Sequence, residues 1–136
     1  MSRNKVDLGR KGYRVDLSKT LLFVDDEKEI LDILIDLFSD EGYCLHTATK
    51  ASEALAISKS QPVDFVLSDL RLPDASGKDL LEQIQADHPR AVRVLTSGYL
   101  DVRFGHVAED KKSGTYYLSK PWDLFMLKNL VSEKVG

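Results

Sequence analysis

Five short apolar runs, each followed by a stretch of helical periodicity, confine this chain to a narrow set of folds. The runs are Thr20–Val24, Tyr43–Ala48, Val63–Ser68, Val92–Thr96 and Thr115–Ser119. Between and after them the spacing predicts helices over 28–40, 51–60, 78–86, 102–110 and 123–133. In the first helix Ile30, Ile33, Leu34, Leu37 and Phe38 share one 3.6-residue face, and Gly42 ends it. Pro62 and His88-Pro89 close the next two. The fourth is the least regular, because Gly105 interrupts it and Lys111-Lys112-Ser113-Gly114 breaks it. Val63–Ser68 is almost unbroken in apolar character after Asp64, as suits a strand covered on both faces.

Alternating strands and helices with short connections imply an α/β fold whose parallel sheet is covered by helices on both faces. The expected form is a doubly wound five-stranded sheet of order 2-1-3-4-5, with strands one and three adjacent at the switch point. Residues 20–136 make one domain of this kind, behind an extension at 1–19. That extension carries six Lys/Arg against Asp7 and Asp16, while the whole chain has a net charge of -3. With Tyr13 its only aromatic, it is expected to be a flexible, solvated leader rather than a nucleic-acid contact. No run approaches the roughly 18 apolar residues of a membrane span, and the polar start lacks a signal-peptide apolar region, so the expected location is cytoplasmic. Cys44 has no second cysteine to pair with and is expected to be a buried thiol.

Charge gathers where such sheets bind ligands. Asp25 and Asp26 follow strand one, Asp69 follows strand three and Lys120 follows strand five. Ligand sites in open α/β sheets lie beyond the carboxyl ends of the strands, so the topology brings the three acids into one pocket within reach of the lysine. Clustered carboxylates repel unless a cation or raised pKa values relieve them. Oxygen-only donors select a hard divalent ion, and Mg²⁺ suits a site that also accepts phosphate oxygens. His46, His88 and His106 lie in different segments and make no zinc site. The first turn, Asp25-Asp26-Glu27, repels phosphate where a Gly-rich loop would cradle it. Plainer roles exist for each residue taken alone: Asp25 as a helix N-cap, Glu27 as a dipole partner, Asp69 as a turn former and Lys120 as a solvated strand end.

Four motifs at strand ends carry a more specific signal: L-L-F-V-D-D-E at 21–27, D-L-R-L-P-D-A-S-G at 69–77, T-S-G-Y at 96–99 and Y-L-S-K-P-W at 117–122. Together they resemble the receiver domain of two-component response regulators, the CheY-like superfamily with its flavodoxin-like (βα)5 fold, over about 20–135. The resemblance implies that Asp69 accepts a phosphoryl group from a sensor histidine kinase or phosphotransfer protein. It implies that Asp26 and Asp69 bind Mg²⁺ directly, that Asp25 acts through water, and that the backbone carbonyl of Arg71 completes the protein ligands. Lys120 would pair with the phosphoryl oxygens, with Pro121 forming the family's often cis Lys-Pro bond. Ser97 would be the hydroxyl switch and Tyr117 the switch aromatic. Thr96 competes with Ser97, but the small Gly98 after Ser97 fits the family better. Tyr116 and Tyr117 alternate faces, and Tyr117 stands at the family's position.

The family's Gly-Ala pair before strand five appears as Ser113-Gly114-Thr115, which together with the weak fourth helix predicts a short or mobile element there. In the family the positions of Arg71 and Tyr99 influence dephosphorylation, so the resemblance implies, with bulky residues there, a phosphoryl group that outlasts those of the fastest receivers. The expected function is a Mg²⁺-dependent phosphoacceptor in a signalling relay, not an enzyme with turnover. The output partner or domain is unspecified, a homodimer is left open, and the chain either acts alone or heads a longer regulator. Two rivals stand beside this reading. A haloacid-dehalogenase-type phosphatase would also use an Asp nucleophile, but its D-x-D is missing. A phosphorylation-independent interaction module would not need all four chemical positions.

Overall fold

A computed structural model of the chain describes residues 6–8, 14–16, 18–98 and 106–136. Two short strands, β1 (Val6–Leu8) and β2 (Arg14–Asp16), pair antiparallel within the basic extension. The rest of the leader's first 17 residues lies outside the described set. The body then runs β3 (Thr20–Val24), α1 (Lys28–Phe38), β4 (Cys44–Ala48), α2 (Ala51–Ser60), β5 (Phe65–Asp69) and α3 (Gly77–Asp87). It continues with β6 (Val92–Ser97), β7 (Ala108–Asp110), β8 (Thr115–Ser119) and α4 (Leu124–Lys134).

The main sheet has the order β4-β3-β5-β6-β8-β7. Its first five members are parallel and reproduce the expected 2-1-3-4-5 arrangement. Side-chain alternation builds a core on each face. Leu21, Phe23, Phe65, Leu67 and Val94 point to one side, where α1 and α4 supply Leu31, Leu34, Phe38, Leu127 and Val131. Leu22, Val24, Val66 and Leu95 point to the other, against Ala51 and Ala54 of α2 and Leu80, Leu81 and Ile84 of α3. Phe23 stacks on Phe38 at a centroid distance of 5.6 Å and meets Phe65 edge-on at 6.4 Å. No helix among the described residues is long and apolar enough to cross a membrane.

The sixth strand is a correction. The helix expected over 102–110 is not formed at its C-terminal end, where β7 pairs antiparallel with β8; residues 99–105 lie outside the described set. The break at 111–114 is real, but it turns a hairpin. Gly114 sits at φ +73°, its N–H donates to the Asp110 carbonyl at 2.7 Å, and the Asp110 carboxylate accepts the Lys112 N–H at 3.0 Å. A left-handed glycine and an Asx-type bond suit a tight strand-to-strand connection. Cys44 also departs from expectation: it is partly exposed on edge strand β4, with Sγ 3.5 Å from His46 Nε2.

Candidate functional site

The carboxyl end of β3 delivers the first acids. The Asp25 N–H donates to the Ala48 carbonyl at 3.1 Å, joining the turn after β3 to the end of β4. Asp25 is only 2% exposed. Its Oδ1 accepts the Glu27 N–H at 2.9 Å, and its Oδ2 takes Lys120 Nζ at 2.7 Å. Asp25 therefore does not cap α1; Glu27 occupies the N-cap position and makes no side-chain cap bond. One carboxylate oxygen from each of Asp25, Asp26 and Glu27 lies within 4.8 Å of the other two. Glu27 is thus closer to the acid pair than a first-turn dipole partner needs to be.

Asp69 ends β5, beside β3 in the sheet, and its Oδ1 is 3.8 Å from Lys120 Nζ. Partial burial pushes its carboxyl above the ordinary carboxylate range; Lys120 opposes that rise, while Asp25 and Asp26 add to it. Lys120 reaches both acids from the end of β8. Its N–H donates to the Ser97 carbonyl at 3.0 Å, and the Lys120-Pro121 peptide is cis. The two acids and the lysine, from three strand ends, thus meet as the topology predicts.

Ser97 closes β6 and is buried, on the strand face shared with Leu95. Thr96 alternates to the opposite face, where its hydroxyl accepts the Trp122 indole N–H at 2.7 Å. Trp122 is therefore a packing residue of this end of the sheet, and its ring centroid lies 5.9 Å from Lys120 Nζ. Tyr116 packs toward the α1–α4 core, with Lys134 Nζ 5.5 Å from its ring, and Tyr117 toward the α2–α3 core. Tyr117 also lines a cavity of about 290 Å³ with Lys78, Leu81, Arg93 and Asp110. Tyr99 lies outside the described residues.

The loop from Leu70 to Ser76 is closed on itself. Leu72 N–H donates to the Ala75 carbonyl, Gly77 N–H to the Leu70 carbonyl, and Arg71 bridges Ser76. A Cβ on Gly77 would stand 2.0 Å from the Asp69 carbonyl oxygen, so only glycine lets α3 start this close to the β5 end. Residues that sequence reasoning passed over hold the frame. Asp64 Oδ2 accepts the Thr20 N–H at 2.8 Å, Asp74 binds the start of α2, and Arg93, buried, donates to the carbonyls of Ala91 and Ser113. Asp74 stood inside a quoted motif; nothing in the spacing singled out Asp64 or Arg93.

Clustered carboxylate oxygens, buried at Asp25 and exposed at Asp26 and Glu27, with an acid held above its ordinary range at Asp69, fit a hard divalent cation, because added positive charge relieves the remaining repulsion. The family profile described as "Response regulator receiver domain" matches residues 21–132. The chain belongs to that family. As a receiver domain it is 33% identical over 111 residues to the photosynthetic apparatus regulatory protein RegA of Cereibacter sphaeroides, covering 82% of this chain and 60% of the relative. It is 36% identical over 108 residues to the hydrogenase transcriptional regulatory protein HoxA of Cupriavidus necator, covering 79% of this chain and 22% of the relative. It therefore spans less than two thirds of these curated relatives. Among solved structures it resembles the signal receiver domain of an HD domain-containing protein from Pseudomonas fluorescens, with TM-score 0.72, 32% identity and 89% of each chain covered. A receiver domain from Methanospirillum hungatei gives TM-score 0.73 at 28% identity, covering 87% of this chain and 94% of that one. Two-component signalling is the setting of the receiver-domain family.

Proposed function

We propose that this receiver domain is a phosphoacceptor, with Asp69 taking a phosphoryl group from a phosphohistidine of a sensor kinase or phosphotransfer protein. An Asp69 oxygen attacks phosphorus, the donor's P–N bond breaks, and the electron pair leaves with the imidazole. The observation that carries this reading is Lys120 Nζ, 2.7 Å from Asp25 and 3.8 Å from Asp69. A cation already placed between the acids can turn to incoming phosphoryl oxygens without reorganising the sheet. Asp25, Asp26, Asp69 and the Arg71 carbonyl would hold Mg²⁺, which neutralises charge on the transferring group. Glu27 adds a further acidic oxygen at the same rim.

Ser97 is the switch hydroxyl in this reading. Thr96 is engaged by Trp122 on the other face, which favours Ser97. Tyr117, beside a cavity, has room to respond. A groove of about 450 Å³ lined by Ile30, Ile33, Pro121, Trp122 and Leu124 opens beside Lys120. Such an apolar rim suits a protein donor better than a small phosphoester. Incubation with acetyl phosphate and Mg²⁺ tests the assignment by intact mass. Wild type should gain one phosphoryl group, Asp69→Asn none, and Lys120→Ala little; equal labelling of wild type and Asp69→Asn refutes it.

A further inference from the structure

Helix α2 begins without a cap of its own. Lys50 stands at its N-cap position and makes no side-chain bond to the helix. Its first N–H groups are served from elsewhere: Asp74 Oδ1 accepts from Ala51 at 2.8 Å and Oδ2 accepts from Ser52 at 3.0 Å. Both oxygens of one carboxylate are spent on a helix that starts 23 residues earlier. The bonds from the Ser52 and Ala51 N–H groups hold the Asp74 carboxyl below its ordinary range.

The position of Asp74 gives the bond a second consequence. It occupies the tip of the closed loop in which Leu72 N–H reaches Ala75 at 3.1 Å and Arg71 bridges Ser76. Pinning the tip of such a loop fixes its base, where the Arg71 carbonyl sits. The other end of the tie is equally anchored. Ala51 follows β4 by three residues, and the Ala48 carbonyl at the end of β4 holds the Asp25 N–H at 3.1 Å. Thr49, between them, donates both its N–H and its hydroxyl to Glu53 Oε1 at 2.8 Å. A continuous path thus runs from Asp25 through Ala48 and the α2 start to Asp74 and back to Arg71.

We infer that Asp74 is a positioning residue that sets the spacing between the Arg71 carbonyl and the Asp25–Asp26 pair, and so tunes cation affinity. This rests on the acid pocket binding Mg²⁺, as proposed above. A plain helix cap would act on stability alone; a strut acts on affinity as well. Supports behind a metal site characteristically change its affinity without touching the ion.

The two roles separate in a double variant. Asp74→Ala removes the tie and the cap together, whereas Lys50→Ser supplies a local cap to the Ser52 or Glu53 N–H. Mg²⁺ titrations followed by Trp122 fluorescence and by calorimetry, alongside thermal melts, provide the readouts. Asp74→Ala should lower both the melting temperature and Mg²⁺ affinity. Lys50→Ser with Asp74→Ala should recover the melting temperature yet still bind Mg²⁺ about 10-fold more weakly than wild type. Recovery of affinity along with stability overturns the strut and leaves Asp74 a cap. Absence of any Mg²⁺ response in the wild type overturns the pocket reading itself.

Discussion

Asp69 shows how one side chain carries a cost that serves the site. Burial, with help from Asp25 and Asp26, holds its carboxyl above the ordinary range against the pull of Lys120. The native state therefore keeps this proton at pH values where the unfolded chain has lost it. The carboxyl's own contribution to stability declines as pH rises from the ordinary value, about 3.9, through the raised one. Asp69→Asn removes the ionisation. In EDTA at pH 7 it should melt at a higher temperature than wild type. Near pH 3 the two should melt together. A variant that is less stable than wild type at pH 7 contradicts this balance. The acids and the lysine were legible because charge at the end of an apolar run is anomalous. Asp64 and Arg93 were not, because a polar residue that satisfies a distant backbone group leaves no local pattern. Nor was the bond from Trp122 to Thr96, which depends on which strand lies beside which.

Among the elements, the five parallel strands and the four helices were readable from period and punctuation. β3, α2 and β8 form over the residues expected, and the boundaries of α1, α3 and α4 shift by one or two positions. The failure was the stretch before β8. A break signal at Lys111–Gly114 marks a turn without saying whether a helix or a strand precedes it, and Ala108–Asp110 has little strand propensity of its own. Pairing with β8 decides the outcome, and that information is tertiary. Gly114 holds the hairpin with φ +73°, and a Cβ there would also approach Arg93 Nη2 at 3.1 Å. Gly114→Ala should cost about 1–2 kcal/mol in urea denaturation. An unchanged midpoint would mean that the turn relaxes into another form.

Across the whole molecule, the order 2-1-3-4-5 was recoverable because short connections and alternating elements leave few alternatives. Its energetic consequence is a gradient from centre to edge. β3 is covered on both faces and paired on both sides, as is β5, whereas β4 and β7 each leave one edge unpaired in the sheet. Amide exchange should be slowest at Leu22, Phe23, Val66 and Leu67 and markedly faster along β4 and β7. Uniform protection across all six strands would count against a central core that opens last.

The Lys120–Asp25 ion pair joins residues 95 positions apart. On a ribosome adding about 5–20 residues each second, the ammonium emerges roughly 5–20 s after the carboxylate it will neutralise. For that interval a growing chain already holds Asp25, Asp26 and later Asp69 without Lys120. The pocket's own ammonium is thus the last of its charged parts to be made.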